Sequence, residues 1–288
     1  MSQDKSSIDS LRREIDRIDD AIHDLLMKRT EVVAGIAATK PPEVVPLRPA
    51  REAAVLRRLV SRHRGAFPKA AVVRIWREIM GALVGLQGPF TMAVCDEGPH
   101  GPAGIIELAH GHFGSVAASV AFRTPGQAVR ALTDGQAAVA VVPLPGDQEA
   151  EPWWLSLTFD TGVVPRVVAR LPFAGVDTPK GAPAAAQGLV LACREHDETG
   201  DDRTLLVVET APDLSRDRLR AVLGAAGIEV TDLLAVHRGP HRLHLVEVNG
   251  HLVAADPRLS AVVAARDPVE RASVVGGYAT PFSPQALA

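Results

Sequence analysis

The sequence predicts a multidomain chain: an all-α segment of three helices, then a small α/β lobe, then a βαββαβ unit of the ferredoxin-like α+β kind. Three observations predict it. Apolar residues recur at three- and four-residue steps through the first ~85 positions, as on one face of a helix. From Gly88 onward Gly and Pro become frequent, and short β-like runs alternate with helical patches. After residue 201 the runs fall in the order β-α-β-β-α-β within about 80 residues.

The first helix starts at "SSIDS" and runs to about Thr39, where "KPPEVVPLRP" stops it with its prolines. Ile15, Ile18, Ile22, Leu25, Val32 and Ile36 form its seam. A rod of this length is far longer than an 80-residue domain is wide, and two short helices cannot cover it. A second copy of the chain is therefore expected to do so, giving an intertwined helical homodimer. The second helix runs from about Pro49 to His63, with Val55, Leu56 and Leu59 inward. "RGAFP" breaks it. The third runs from Lys69 to about Leu86, with Val73, Trp76, Met80 and Leu83 on its stripe and Gln87 continuing it.

In the α/β lobe "FTMAVCD", "VAASVAF" and "QAAVAVVPLP" read as strands, and "PRVVARLPF" adds another. "AGIIELAHGHFG" reads as a helix, as does "TPGQAVRALTDG" with its Thr-Pro start and Gly stop. Residues 181–201 read as a joining segment. Then "RTLLVVET", "IEVTDLLAVHRG", "HRLHLVEVNG" and "ASVVGGYA" supply strands, and "DLSRDRLRAVLGAAG" and "PRLSAVVAAR" supply helices. The expected domains are 1–88, 89–200 and 201–288.

Composition narrows the function classes. No apolar run approaches the ~20 residues of a membrane span, and the polar N-terminus is not a signal peptide. Two cysteines, Cys95 and Cys193, show no metal spacing and suit a reducing compartment, so the expected location is cytoplasmic. There is no glycine-rich phosphate loop and no nucleophile elbow. Residues 1–88 carry 16 Lys/Arg against 11 Asp/Glu, or +5, while the rest carries 15 against 23, or −8. That excess either decorates a helical surface or handles a small anion. Interleaved acids and the lack of an aromatic platform speak against nucleic acid.

Two seam positions bear on this choice. Arg29 falls between Leu25 and Val32, and Lys40 falls four after Ile36. Eleven residues at 100° each is about 20° off three full turns, so both cations share one face. A buried cation without a partner is costly. Each alone could extend its stem to solvent; two on one line point to a small dicarboxylate between them. Gln87 could be where its seam ends or a donor. Arg51 and Glu52 could be surface charges or part of a site.

The runs "LRREIDRIDDAIHDLLMKR...K", "RPAREAAVLRRL" and "IWREIMGALVGLQ" resemble the all-helical chorismate mutases over nearly all of residues 11–87. That resemblance implies three helices per chain interlocked in a homodimer with shared active sites. It implies that Arg12 is supplied across the interface and that Arg29 binds a substrate carboxylate in its own chain. Lys40 would contact carboxylate and ether oxygen, Arg51 would bind substrate, Glu52 would hold the ring hydroxyl, and Gln87 would donate to the ether oxygen. Lys40, Gln87 and Glu52 are thus the implied catalytic residues, and chorismate and prephenate the implied ligands. Two positions depart: Arg48 stands where an acid is common, and Leu83 where a serine is common. The rearrangement of chorismate to prephenate is pericyclic and calls for no cofactor or metal.

The remainder resembles prephenate dehydratase in eroded form. "VVP" is followed by "LPGD" rather than Glu-Asn-Ser, and "QGL" stands in place of Thr-Arg-Phe. "VEVNGHLVAADPRL" and "VVGGYATPF" resemble the ACT regulatory domain of those enzymes, which implies an aromatic amino acid effector or, equally, a dimerisation unit.

Overall fold

The structure, a computed structural model, describes residues 2–39, 46–96, 101–146, 152–158, 164–175, 186–238, 240–265 and 268–288. These fall into two compact units: residues 1–46 with 83–89, and residues 47–82 with 90–288.

The smaller unit is dominated by one helix, α1 (Ser2–Ala38), with 37 residues and a length of about 55 Å at 1.5 Å per residue. It begins earlier than expected: "SSIDS" lies inside the helix, because Ser and Asp mark a start only where the preceding backbone departs from it. Its seam is open. Ile15, Ile18, Ile22, Leu25, Val32 and Ile36 are 47–66% exposed, and Ile8 and Leu11 extend the stripe.

The larger unit begins with α2 (Pro49–Arg62) and contains most of α3 (Lys69–Gly85). Pro49 suits the first position of α2, where a backbone N–H has no helical partner in any case. Ala53 and Leu56 of α2 and Val73 and Met80 of α3 are buried as the period requires, and they pack with Phe173, Ala279 and Leu287. The guanidinium of Arg57 fastens α2 further, donating to Thr199 Oγ1 (2.9 Å) and to the carbonyls of Asp201 (2.7 Å) and Thr280 (3.1 Å).

Among the described residues nine strands form one mixed sheet in the order β2-β1-β3-β5-β4-β9-β6-β8-β7. They are β1 (Thr91–Cys95), β2 (Ala118–Phe122), β3 (Val139–Pro143), β4 (Arg166–Leu171), β5 (Gly188–Ala192), β6 (Asp202–Thr210), β7 (Val230–Arg238), β8 (His241–Asn249) and β9 (Val269–Ala279). The helices between them are α4 (Gly101–Phe113), α5 (Pro125–Thr133), α6 (Arg216–Ala225) and α7 (Pro257–Ala264), and the short α8 (Pro284–Leu287) follows β9. β1 runs parallel to β2 and β3, while β5 is antiparallel to β3 and β4. β6 lies antiparallel between β8 and β9.

β4 and β9 join the two parts of the sheet, running parallel and pairing at Val167 and Gly276. Gly276 has φ +128°, and a Cβ there would meet Val167 O at 2.3 Å. Only a residue without a side chain lets these strands meet. A comparable close approach sets α3 against α4, where a Cβ on Gly81 would lie 1.9 Å from Phe113 O.

The α5 signal in the sequence works as physics predicts. Thr124 caps the helix by accepting from Gln127 N, the Gln127 side chain accepts from Thr124 N, Pro125 follows, and Gly135 turns the chain at φ +68°. Three elements went unread, the short terminal α8 among them. β5 lies within the stretch taken as a joiner, and the 3-10 helix Trp153–Thr158 places Trp153, Trp154 and Leu157 in the core beneath the sheet.

Candidate functional site

The geometry around the first helix is best built from Arg29. Its side chain is half-buried on α1, and burial lowers its pKa from the ordinary guanidinium value. Its Nη1 is shielded from solvent and has no hydrogen-bond partner among the described residues. A guanidinium cannot shed its proton at physiological pH. A desolvated, unpaired nitrogen on it therefore favours any anion that can reach it, through a charge-assisted hydrogen bond.

The other expected residues vary. Arg12 is exposed and its Nη1 donates weakly to Asp9 Oδ1 at 3.4 Å, a surface pair worth little energetically. Gln87 is half-buried, and its Nε2 donates to the Leu83 carbonyl one turn back (3.1 Å). Lys40 lies outside the described residues. Leu83, where a serine is common in the resembled family, is buried at 6% exposure.

Arg51 and Glu52 open α2 in the larger unit. Arg51 is exposed, whereas the Glu52 side chain is only 14% exposed. Glu52 Oε2 accepts from Arg77 Nη1 at 2.6 Å, a short charge-assisted bond between α2 and α3. Arg77 is buried, and its guanidinium carbon stands 5.0 Å from the centre of the Phe173 ring. Burial lowers the Arg77 pKa while Glu52 opposes that shift. Burial first, and the Arg77 charge second, hold His112 on α4 well below the usual imidazole range, so His112 is neutral.

Sequence reasoning did not single out Arg77. Its signal was an arginine beside Trp76 on the buried stripe of α3, readable only by asking which acid meets it.

The sheet carries three further polar clusters among the described residues. Asp202 is fully enclosed. Burial raises its pKa, but hydrogen bonds from His196 and Thr199 outweigh that and bring it to about 2. Elsewhere Glu247 accepts from Tyr278 Oη and from Arg170 Nη1 (3.0 Å), and burial together with Glu247 raises the Tyr278 pKa. Among the described residues one group has metal-ligand types in reach of one another: Glu209, His241 and Glu270, with donor atoms within 4.8 Å. His241 Nδ1 lies 3.4 Å from Glu209 Oε1 and 3.1 Å from Glu270 Oε2.

Residues 11–88 match the family model described as chorismate mutase type II. Curated relatives follow the same line. A bifunctional chorismate mutase/prephenate dehydratase of Neisseria gonorrhoeae is 33% identical over 140 residues, which is 48% of this chain and 37% of that protein. One from Pseudomonas aeruginosa is 27% identical over 154 residues, covering 51% and 41%. The matched stretch thus spans about two fifths of these relatives' length. Among solved structures, the prephenate dehydratase of Streptococcus mutans aligns with 67% of this chain and 100% of its own, at 15% identity and a TM-score of 0.45.

Proposed function

We propose that this chain is a chorismate mutase that rearranges chorismate to prephenate on a site shared between two copies. The observation that carries this is Arg29: a cation in an isoleucine seam, with a desolvated nitrogen that lacks a partner among the described residues, inside a segment matching the mutase family. In the same reading Lys40 of the same chain and Arg12 supplied by the second copy complete the cationic lining, Arg51 assists, Glu52 takes the ring hydroxyl and Gln87 meets the ether oxygen. Gln87 would turn its amide from the Leu83 carbonyl toward substrate.

The chemistry asks for positioning and charge, not a nucleophile. In one concerted step the C–O ether bond breaks as a C–C bond forms, and no atom leaves. Clamping both carboxylates holds the flexible substrate in its reactive chair. Guanidinium forks suit this because they bind carboxylates in a bidentate manner. Negative charge builds on the ether oxygen, so a Lys and a Gln fixed there act more strongly on the transition state than on the ground state. Since Gln87 donates without titrating, the rate should change little between about pH 6 and 8. A steep acidic optimum would contradict the assignment.

The exposed α1 stripe supports the homodimer, because a run of isoleucines along ~55 Å demands cover. The domain scheme 1–88, 89–200 and 201–288 belongs to the proposal, as do a cytoplasmic location and the ACT-like identity of the last unit. There the order β6-α6-β7-β8-α7-β9 supports a ferredoxin-like unit. An aromatic amino acid effector is tested by calorimetric titration with phenylalanine, tyrosine and tryptophan, and the absence of heat from all three retires it.

The bifunctional names of the relatives favour a second reading, a mutase that also dehydrates prephenate. "LPGD" and "QGL" in place of the dehydratase motifs count against it. A spectroscopic assay of chorismate loss, followed by acid-free detection of phenylpyruvate, separates the cases. Prephenate accumulating alone supports the proposal, phenylpyruvate the second reading, and neither product a non-catalytic scaffold.

A further inference from the structure

We infer that Arg77 is the positioning residue for Glu52, and that Phe173 is its seat; this rests on the mutase reading above. Glu52 has rotatable bonds enough to place its carboxylate in several directions from the first turn of α2. What selects one is Arg77, whose Nη1 meets Oε2 at 2.6 Å. Arg77 has no comparable freedom. It is buried to 4% exposure, lies 5.0 Å from the Phe173 ring centre, and has the neutral His112 of α4 beside it.

Phe173 is fixed in turn, in edge contact with Phe282 at 5.3 Å, while its carbonyl accepts from Phe282 N at 2.8 Å. The chain of contact therefore runs from the segment after β4, through an aromatic face and a planar cation, to a carboxylate at the start of α2. All of it lies within the larger unit. Among the described residues only Oε2 of Glu52 is engaged, which leaves Oε1 to accept from a substrate hydroxyl.

Arginine is required by the shape of its head group. A guanidinium can stack flat on Phe173 while its edge donates to Glu52, whereas an ammonium is a point charge that cannot do both. A hydroxyl contact made equally in ground and transition states is uniform binding, so losing its alignment raises KM more than it lowers kcat. A purely structural role would instead reduce the amount of active enzyme, lowering apparent kcat and leaving KM unchanged.

The experiment is steady-state chorismate kinetics on the full chain and on Arg77→Lys, Glu52→Gln, the double variant, and Phe173→Leu. Circular dichroism is recorded for each to establish that it is folded. Arg77→Lys should raise KM about tenfold with kcat within about threefold. On the Glu52→Gln background the same change should cost less than about twofold, because the partner it acts through is gone. Phe173→Leu should shift KM in the same direction. Equal effects of Arg77→Lys on both backgrounds, or an unchanged KM, would overturn the inference. Absence of mutase turnover in the unaltered chain would instead remove the functional reading beneath it.

Discussion

At Arg29 a planar cation sits half-buried on α1 with one nitrogen that is shielded from solvent and has no partner among the described residues. Arg29→Ala should abolish chorismate turnover, a loss on the order of 10²–10³-fold or more, while the assembly stays folded. Near-normal rates would remove the assignment. Asp202 makes a prediction of a different kind. Its folded pKa of about 2 lies below the ordinary value of 3.8, so its ionised form stabilises the fold above that ordinary value and the gain is lost as pH falls from about 4 toward 2. The loss is about 2 kcal/mol, readable as a drop in the urea midpoint between neutral and acid pH. Asp202→Asn should remove that segment of the pH dependence. Arg29 was legible in the sequence because helical period alone places it among isoleucines. The Glu52–Arg77 bond was not, since its partners lie on different helices and nothing local in either run names the other.

At the scale of elements, α1 presents the clearest case. A stripe of six seam residues at 47–66% exposure should be closed by a second copy, so Ile22→Glu should convert dimer to monomer in light scattering and remove activity with it. Retention of the dimer would mean that the seam is covered otherwise. Apart from the start of α1, the three helices and most strands were readable to within a residue or two, because their periods are strong and Pro or Gly bounds them. α5 is the best example, with its reciprocal Thr124–Gln127 cap. β5 failed for the opposite reason. "GLVLA" is five apolar residues beside an Ala/Pro-rich run, and only its two antiparallel neighbours, β3 and β4, make it a strand. The 3-10 helix at Trp153 likewise owes its form to the core it fills.

For the whole molecule, the sheet runs without a break from β2 to β7, an arrangement the sequence did not reveal because the β4–β9 joint spans about a hundred residues. The joint depends on Gly276. Gly276→Ala would force a Cβ into the Val167 backbone and place a side chain at φ +128°, costing about 3 kcal/mol. Calorimetry should then show the single transition broadened or split, as the two parts of the sheet melt separately. One unaltered transition would mean that other contacts hold them together.

The protein also carries its own optical gauge. Two of its three indoles, Trp153 and Trp154, are buried in the apolar core, and each N–H is enclosed without a hydrogen-bond partner among the described residues. Their emission should sit toward the blue, and it should redden as that core opens. Trp76, on α3, gives a third signal from the helical side. Replacing it with Phe would leave a chain whose fluorescence follows the sheet's interior alone, so that loosening of the α2–α3 packing can be told apart from melting of that interior with nothing more than a lamp and a cuvette.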